Sequence, residues 1–186
     1  MKDIKLIKGV YFNSPVIIGY ASICFIMCIL NYITVGIVNN IFACYHIGYQ
    51  LITYIFVHGG IEHLFNNMIL LLLIGPNVEE KYGSKFLMIA MATTAIISGL
   101  ANCILFSTGV LGASGIVFLL VVLSAFREIK DNKVALTTII VVVLYLGREV
   151  LAGVLKYDDI SQFGHIAGGI CGIVWGCIYE KKFKKA

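Results

Sequence analysis

A chain of 186 residues with 60% apolar and only 13% charged side chains carries about half the charge usual for a water-soluble domain, which excludes an ordinary soluble globule. The net charge of +4 is small and spread along the chain, so it gives no reason to expect a nucleic-acid partner. A hydrocarbon core about 30 Å thick takes about 20 apolar residues per helix. Charged clusters cut this chain into six apolar blocks, which predicts an all-α, polytopic membrane protein forming a single domain over 1–186.

The basic residues orient the blocks. Lys2, Lys5 and Lys8 precede the first, Lys81 and Lys85 separate the second from the third, and Arg127, Lys130 and Lys133 separate the fourth from the fifth. Lys181, Lys182, Lys184 and Lys185 follow the sixth, so twelve of the fourteen Lys and Arg fall on one side, and the positive-inside rule predicts cytoplasmic N- and C-termini. The first block is longer than a signal-peptide core and no small-residue cleavage site follows it, so it is expected to remain as an anchor. A short chain without a targeting extension points to a bacterial plasma membrane.

In chain order, the first span is expected over 15–38, with Asn31 and Thr34 as polar packing residues. From Asn39 to Val57 the chain is uncharged but rich in rings (Phe42, Tyr45, Tyr49, Tyr54, Phe56), a composition suited to the headgroup region. The second span, 60–75, opens with His58, Glu62, His63, Asn66 and Asn67 at or near its outer end and is expected to stop at Gly75-Pro76. His63 and Asn67, four residues apart, share a helix face. The third span, 86–106, reads as structural, with Ser98, Gly99 and Asn102 as packing residues.

The fourth span, 114–126, has 13 residues before Arg127, about 20 Å of helix against the 30 Å to be crossed, so its start lies inside the membrane. That start is Gly112-Ala113-Ser114-Gly115. The fifth span, 134–147, carries no buried polar anchor, and the sixth, 163–179, opens with His165 on a face shared with Gly169, Gly172 and Gly176. Glycines at such spacing let another helix backbone approach closely. Five of the six cysteines fall within spans as small apolar fillers, leaving Cys44 alone in an outer loop, so no disulfide framework is expected.

Counting up from the cytoplasmic charges places Ser114 and His165 at one level, roughly 20 Å above the inner boundary at 1.5 Å per residue. Asn67 reaches a similar height and His63 about a turn more. Polar groups at that depth cost several kcal/mol each when unpaired and are functional candidates by default. Together they form a set able to carry out acyl transfer. Ser114 is the nucleophile, His165 its general base, and His63, Asn67 and the Ser114 backbone N–H are donors for the oxyanion. No carboxylate is well placed to orient His165, so a dyad is expected rather than a triad. His58, Glu62 and His63 lack the spacing of a helical zinc site, and neither metal nor cofactor is expected.

These residues resemble the rhomboid family of intramembrane serine proteases. The match rests on Gly-Ala-Ser-Gly at 112–115, on His63, Asn67 and Met68 in a His-x-x-x-Asn-Met pattern, on His58 five residues earlier, and on Gly164-His165 opening the last span. Glu79 and Gly83 after the second span also fit. The resemblance implies a six-span core and cleavage of peptide bonds in or near transmembrane segments of other membrane proteins, without cofactor, with the lipid bilayer as the medium. It also suggests lateral substrate entry beside the fifth span. Two departures stand out: Tyr49-Gln50 where many members have Trp-Arg, and Phe118 where several have a tyrosine against the base. A non-catalytic rhomboid-like protein that binds membrane clients is the alternative; retention of Ser114, His165, His63 and Asn67 argues against it.

Overall fold

The computed structural model describes residues 4–7, 10–127, 136, 139, 140, 143, 144, 147 and 159–183. Most of the expected fifth span, 134–147, lies outside the described residues. The elements are strands β1 (Ile4–Ile7) and β2 (Val10–Phe12), then helices α1 (Pro15–Ile33), α2 (Ile37–Phe42), α3 (Gln50–Thr53), α4 (Ile61–Tyr82), α5 (Ser84–Leu105), α6 (Ser114–Arg127) and α7 (Asp159–Phe183). Three of these, α1, α4 and α5, are long and apolar enough to cross a membrane, and α6 is a shorter apolar helix.

The protein is thus helical, with one addition to the expected all-α architecture. β1 and β2 pair antiparallel, with Ile4 opposite Phe12 and Lys5 opposite Tyr11. Ile, Val and the aromatic residues of these two segments are ordinary strand formers, hidden in the sequence by the neighbouring positive charges.

α1 ends at Ile33, five residues short of the expected boundary at 38. Val35 and Gly36 take φ of +50° and +89°, which breaks the helical path, and the amides of Thr34 and Gly36 return to the carbonyls of Leu30 and Asn31. The second correction runs the other way. α4 does not stop at Gly75-Pro76 but continues to Tyr82. Proline removes one backbone hydrogen bond, yet long-range partners hold the last turns in helical register. Glu79 accepts from the amides of Val16 and Ile17 at 3.1 and 3.0 Å and from the Ser84 hydroxyl at 2.7 Å. The Tyr82 hydroxyl donates to the Leu123 carbonyl at 2.9 Å. Glycine at 75 also lets α1 close in, since a Cβ there would lie 2.6 Å from Ile17 Cδ1.

α6 is the axis of the bundle. Every residue from Ile116 to Leu123 is buried, as expected of a helix apolar all round and surrounded by others; its main neighbour is α7, followed by α4 and α5. Outward-facing positions of α1 and α5 are also large and apolar, among them Ile26, Ile29, Ile33, Ile97 and Ile104. A bundle with an apolar interior and an apolar exterior belongs in lipid, and the protein is an integral membrane protein.

Candidate active site

Ser114 is the first residue of α6. The first amides of any helix lack intrahelical acceptors, so the Ser114 N–H is available to an outside group, and the helix dipole favours negative charge there. The chain reaches this position through Gly112 at φ +117°, a conformation that side chains with a Cβ rarely adopt. Space demands glycine as well, because a Cβ at 112 would stand 2.8 Å from Cε1 and 3.0 Å from Nε2 of His63.

Three backbone bonds fix this approach from the long first loop. Cys44 and Val110 exchange amide-to-carbonyl bonds of 2.8 and 3.1 Å, and the Gly112 amide donates to the Tyr54 carbonyl at 3.0 Å. Tyr49 and Gln50, the departures from the family pattern, both bond to the Ile41 carbonyl, at 3.1 and 2.9 Å. They anchor this loop to itself.

His58 completes the attachment. Its Nε2 accepts the Ala113 amide at 3.3 Å, so that nitrogen is unprotonated and the neutral ring carries its proton on Nδ1. Burial, with His63 beside it, pushes the His58 imidazole down to about 4. The rings of His58 and His63 meet edge to face with centroids 5.2 Å apart. One turn along α4, Asn67 is buried, and its Nδ2 has no hydrogen-bond partner among the described residues. A buried donor without a partner is uncommon enough to need a reason.

On the other side, α7 crosses α6 at its first turn. A Cβ on Gly115 would lie 3.2 Å from the Gly164 carbonyl oxygen, and one on Gly168 would overlap the Gly115 carbonyl oxygen. Ser114 and His165 therefore sit on helices whose backbones touch at the adjacent residues, in agreement with the depth count. The contact stripe on α7 runs Gly168, Gly172, Gly176, the last two facing Val122 and Phe126. Gly172 is thus where the sequence placed it, but the residue against Gly115 is Gly168. Gly169, expected on the same face as His165, is buried one position further on. His165 is buried and stacks on Phe118, with ring centroids 4.5 Å apart and planes inclined by 12°. The departure at 118 preserves a flat surface against the imidazole.

His63, Gly112, Ser114, Gly115 and Gly164 line one cavity of about 280 Å³. Asn67, Phe118 and His165 are not among its lining residues. Tyr54, Ser98 and Asn102 line the same cavity, although the sequence pattern marks them as an interface aromatic and helix-packing residues. The four-residue spacing of Ser98 and Asn102 on α5 is the signal in the sequence. Among the described residues no three His, Cys, Asp or Glu side chains are grouped to hold a metal ion.

The model of the Rhomboid domain family matches residues 45–182. RHOMBOID-like protein 4 of Arabidopsis thaliana is 34% identical over 143 residues, covering 70% of this chain and 34% of the relative. Rhomboid-like protease 3 of Toxoplasma gondii is 24% identical over 150 residues, covering 73% of this chain and 53% of the relative. Rhomboid protease GluP of Bacillus subtilis (strain 168) is 32% identical over 130 residues, covering 67% of this chain and 24% of the relative. The chain thus spans a quarter to about half of these proteins' lengths. Their organisms include a plant and a bacterium, so the likeness carries the membrane assignment but not the expectation of a bacterial host.

Proposed function

Because the chain belongs to the rhomboid family, we propose that it is an intramembrane serine endopeptidase that cleaves peptide bonds in or near transmembrane segments of membrane proteins. Ser114 Oγ attacks the scissile carbonyl while His165 takes its proton. The side chains of His63 and Asn67 and the Ser114 amide donate to the oxyanion; His165 then protonates the departing amine, and water releases the acyl group from Ser114. His58, Gly112 and Gly115 act as positioning residues, Phe118 supports the base, and Gly169 and Gly172 belong to the helix face that brings it in. The arrangement proposed for the whole chain is one domain of six spans with cytoplasmic termini, in a bacterial plasma membrane, with substrate entering beside the fifth span.

The observation that carries this reading is the α6–α7 crossing, where Gly115 meets Gly164 and Gly168. Supporting it are Ser114 at a helix N-terminus and His165 stacked on Phe118, each one residue from that crossing, and a cavity lined by Ser114 and His63. The test is labelling of the full chain in micelles with a fluorophosphonate, alongside cleavage of a model single-span substrate. Wild type labels and cleaves, and Ser114→Ala does neither. Equal labelling or cleavage by the two proteins refutes the proposal, and a folded wild type that binds the single-span protein without labelling or cutting it favours the client-binding alternative.

A further inference from the structure

Cys44 and Cys103 are separated by 59 positions, yet their sulfurs lie 3.6 Å apart. The sequence placed one in an outer loop and the other within a span, and nothing in their spacing pairs them. Cys103 lies in the last turn of α5, which ends at Leu105, and Cys44 follows α2 in the first loop. The fold brings them together by laying that loop across α5 at Gly99, where a Cβ would be 3.4 Å from Cys44 Sγ and 3.1 Å from Tyr54 Cε1. Both thiols are free.

We propose that Cys44 and Cys103 form an intramolecular disulfide that fastens the first loop to the outer end of α5. A disulfide requires an S–S separation of about 2.0 Å, so the sulfurs must close by roughly 1.6 Å, a displacement within the reach of side-chain rotation. Solvent access assigns the order of events. Cys44 is fully buried and Cys103 is partly exposed, so Cys103 reacts first. As thiolate it attacks a small-molecule disulfide such as oxidised glutathione, forming a mixed disulfide and expelling one thiol. The Cys44 thiolate then attacks the Cys103 sulfur and expels the second. Two protein thiols are oxidised, the external disulfide is reduced to two thiols, and the two protons leave with them.

The location gives the bond a consequence. Cys44 already exchanges two backbone hydrogen bonds with Val110, two residues before Gly112, so fixing Cys44 to α5 also ties down the segment that delivers Ser114. In the orientation proposed above, this end of the molecule faces the outer compartment, where disulfides persist. The chemistry itself does not depend on that orientation or on protease activity.

The test uses the full chain in micelles, equilibrated in glutathione buffers of oxidising and reducing ratio and digested without reduction. The oxidised wild type is expected to yield a Cys44–Cys103 linked peptide, absent from Cys44→Ser and Cys103→Ser, and a Tm roughly 5–10 °C above that of the reduced protein. Cys103→Ala is expected to show no redox-dependent Tm. Full maleimide labelling of both residues after oxidation overturns the proposal, as does a disulfide formed only between molecules through the exposed Cys177.

Discussion

Gly164 and Gly168 lie one turn apart on α7, and replacing either with alanine has the same local effect on a helix, a gain of about 1 kcal/mol in propensity. Their surroundings differ. A Cβ at 164 has nothing within 4 Å. A Cβ at 168 lies 2.8 Å from the carbonyl carbon and 3.0 Å from the Cα of Gly115, besides overlapping its oxygen. Those are backbone atoms, unable to rotate aside, and comfortable carbon contacts need about 3.5–4.0 Å, so α6 and α7 must part by roughly 0.5–1 Å. Overpacking of this kind costs about 1–3 kcal/mol, enough to cancel or exceed the propensity gain.

At about 2–4 °C per kcal/mol for a chain of this size, Gly164→Ala is expected to raise Tm by roughly 2–4 °C. Gly168→Ala is expected to lower it by a similar amount or more. Reactivity should separate the pair further. The α6–α7 contact sets the distance between Ser114 and His165, and a displacement of about 1 Å costs on the order of 10²-fold in a positioned reaction. Thermal unfolding in micelles and the rate of fluorophosphonate labelling measure both effects. A Gly168→Ala protein as stable and as reactive as wild type would refute the packing argument, as would a Gly164→Ala protein equally damaged.

Two further predictions concern groups that hold the site without joining it. His58 is held down to about 4 against an ordinary value near 6.5, so above that value it is neutral folded or unfolded. As pH falls from there toward 4 only the unfolded chain takes the proton, and stability declines by at most about 1.4 kcal/mol per pH unit from this residue. His58→Gln, which keeps an acceptor for Ala113 but does not titrate, should flatten the Tm-against-pH profile over that window; an unchanged slope counts against the assignment. Glu79→Gln removes the charge and one acceptor from a carboxylate that serves two amides at the start of α1 and the Ser84 hydroxyl at the start of α5. It should cost about 1–3 kcal/mol while leaving labelling per folded molecule unchanged, and a loss of labelling without loss of Tm would place Glu79 in the site instead.

What the sequence disclosed was whatever depends on length and charge. Arg127 ends the apolar run that Ser114 begins, so the shortness of α6 and the level of Ser114 could be counted, and the contact of Gly115 with Gly164 agrees with the count. Register was harder. Offsets of three and four residues both stay near one helix face, so His165 did not distinguish Gly168 from Gly169; the position of the Gly115 carbonyl does. Pro76 was read by local propensity, whereas the bonds made by Glu79 and Tyr82 to other helices decide where α4 ends. The cavity lining of Tyr54, Ser98 and Asn102 and the meeting of Cys44 with Cys103 depend on how the first loop lies across α5, and only the packed chain specifies that.

Asn31 shows how far support for Ser114 extends. It lies near the end of α1, where its sequence context suggests only helix packing. Its Oδ1 accepts the Asn39 amide at 2.9 Å, the Asn39 side chain donates to the His58 carbonyl at 2.8 Å, and the His58 ring accepts the Ala113 amide at 3.3 Å. The first two links are partly buried and the last is buried, and a hydrogen bond shielded from solvent is less readily exchanged for one to water. The chain of bonds runs from α1 through the first loop to the residue before Ser114. The last link also requires His58 to be neutral, so one protonation at that ring would break it. Glycine at 112 gives this segment its turn, but glycine alone leaves it free to move; the bond from Ala113 to His58 and that from Gly112 to Tyr54 remove the freedom that the turn requires.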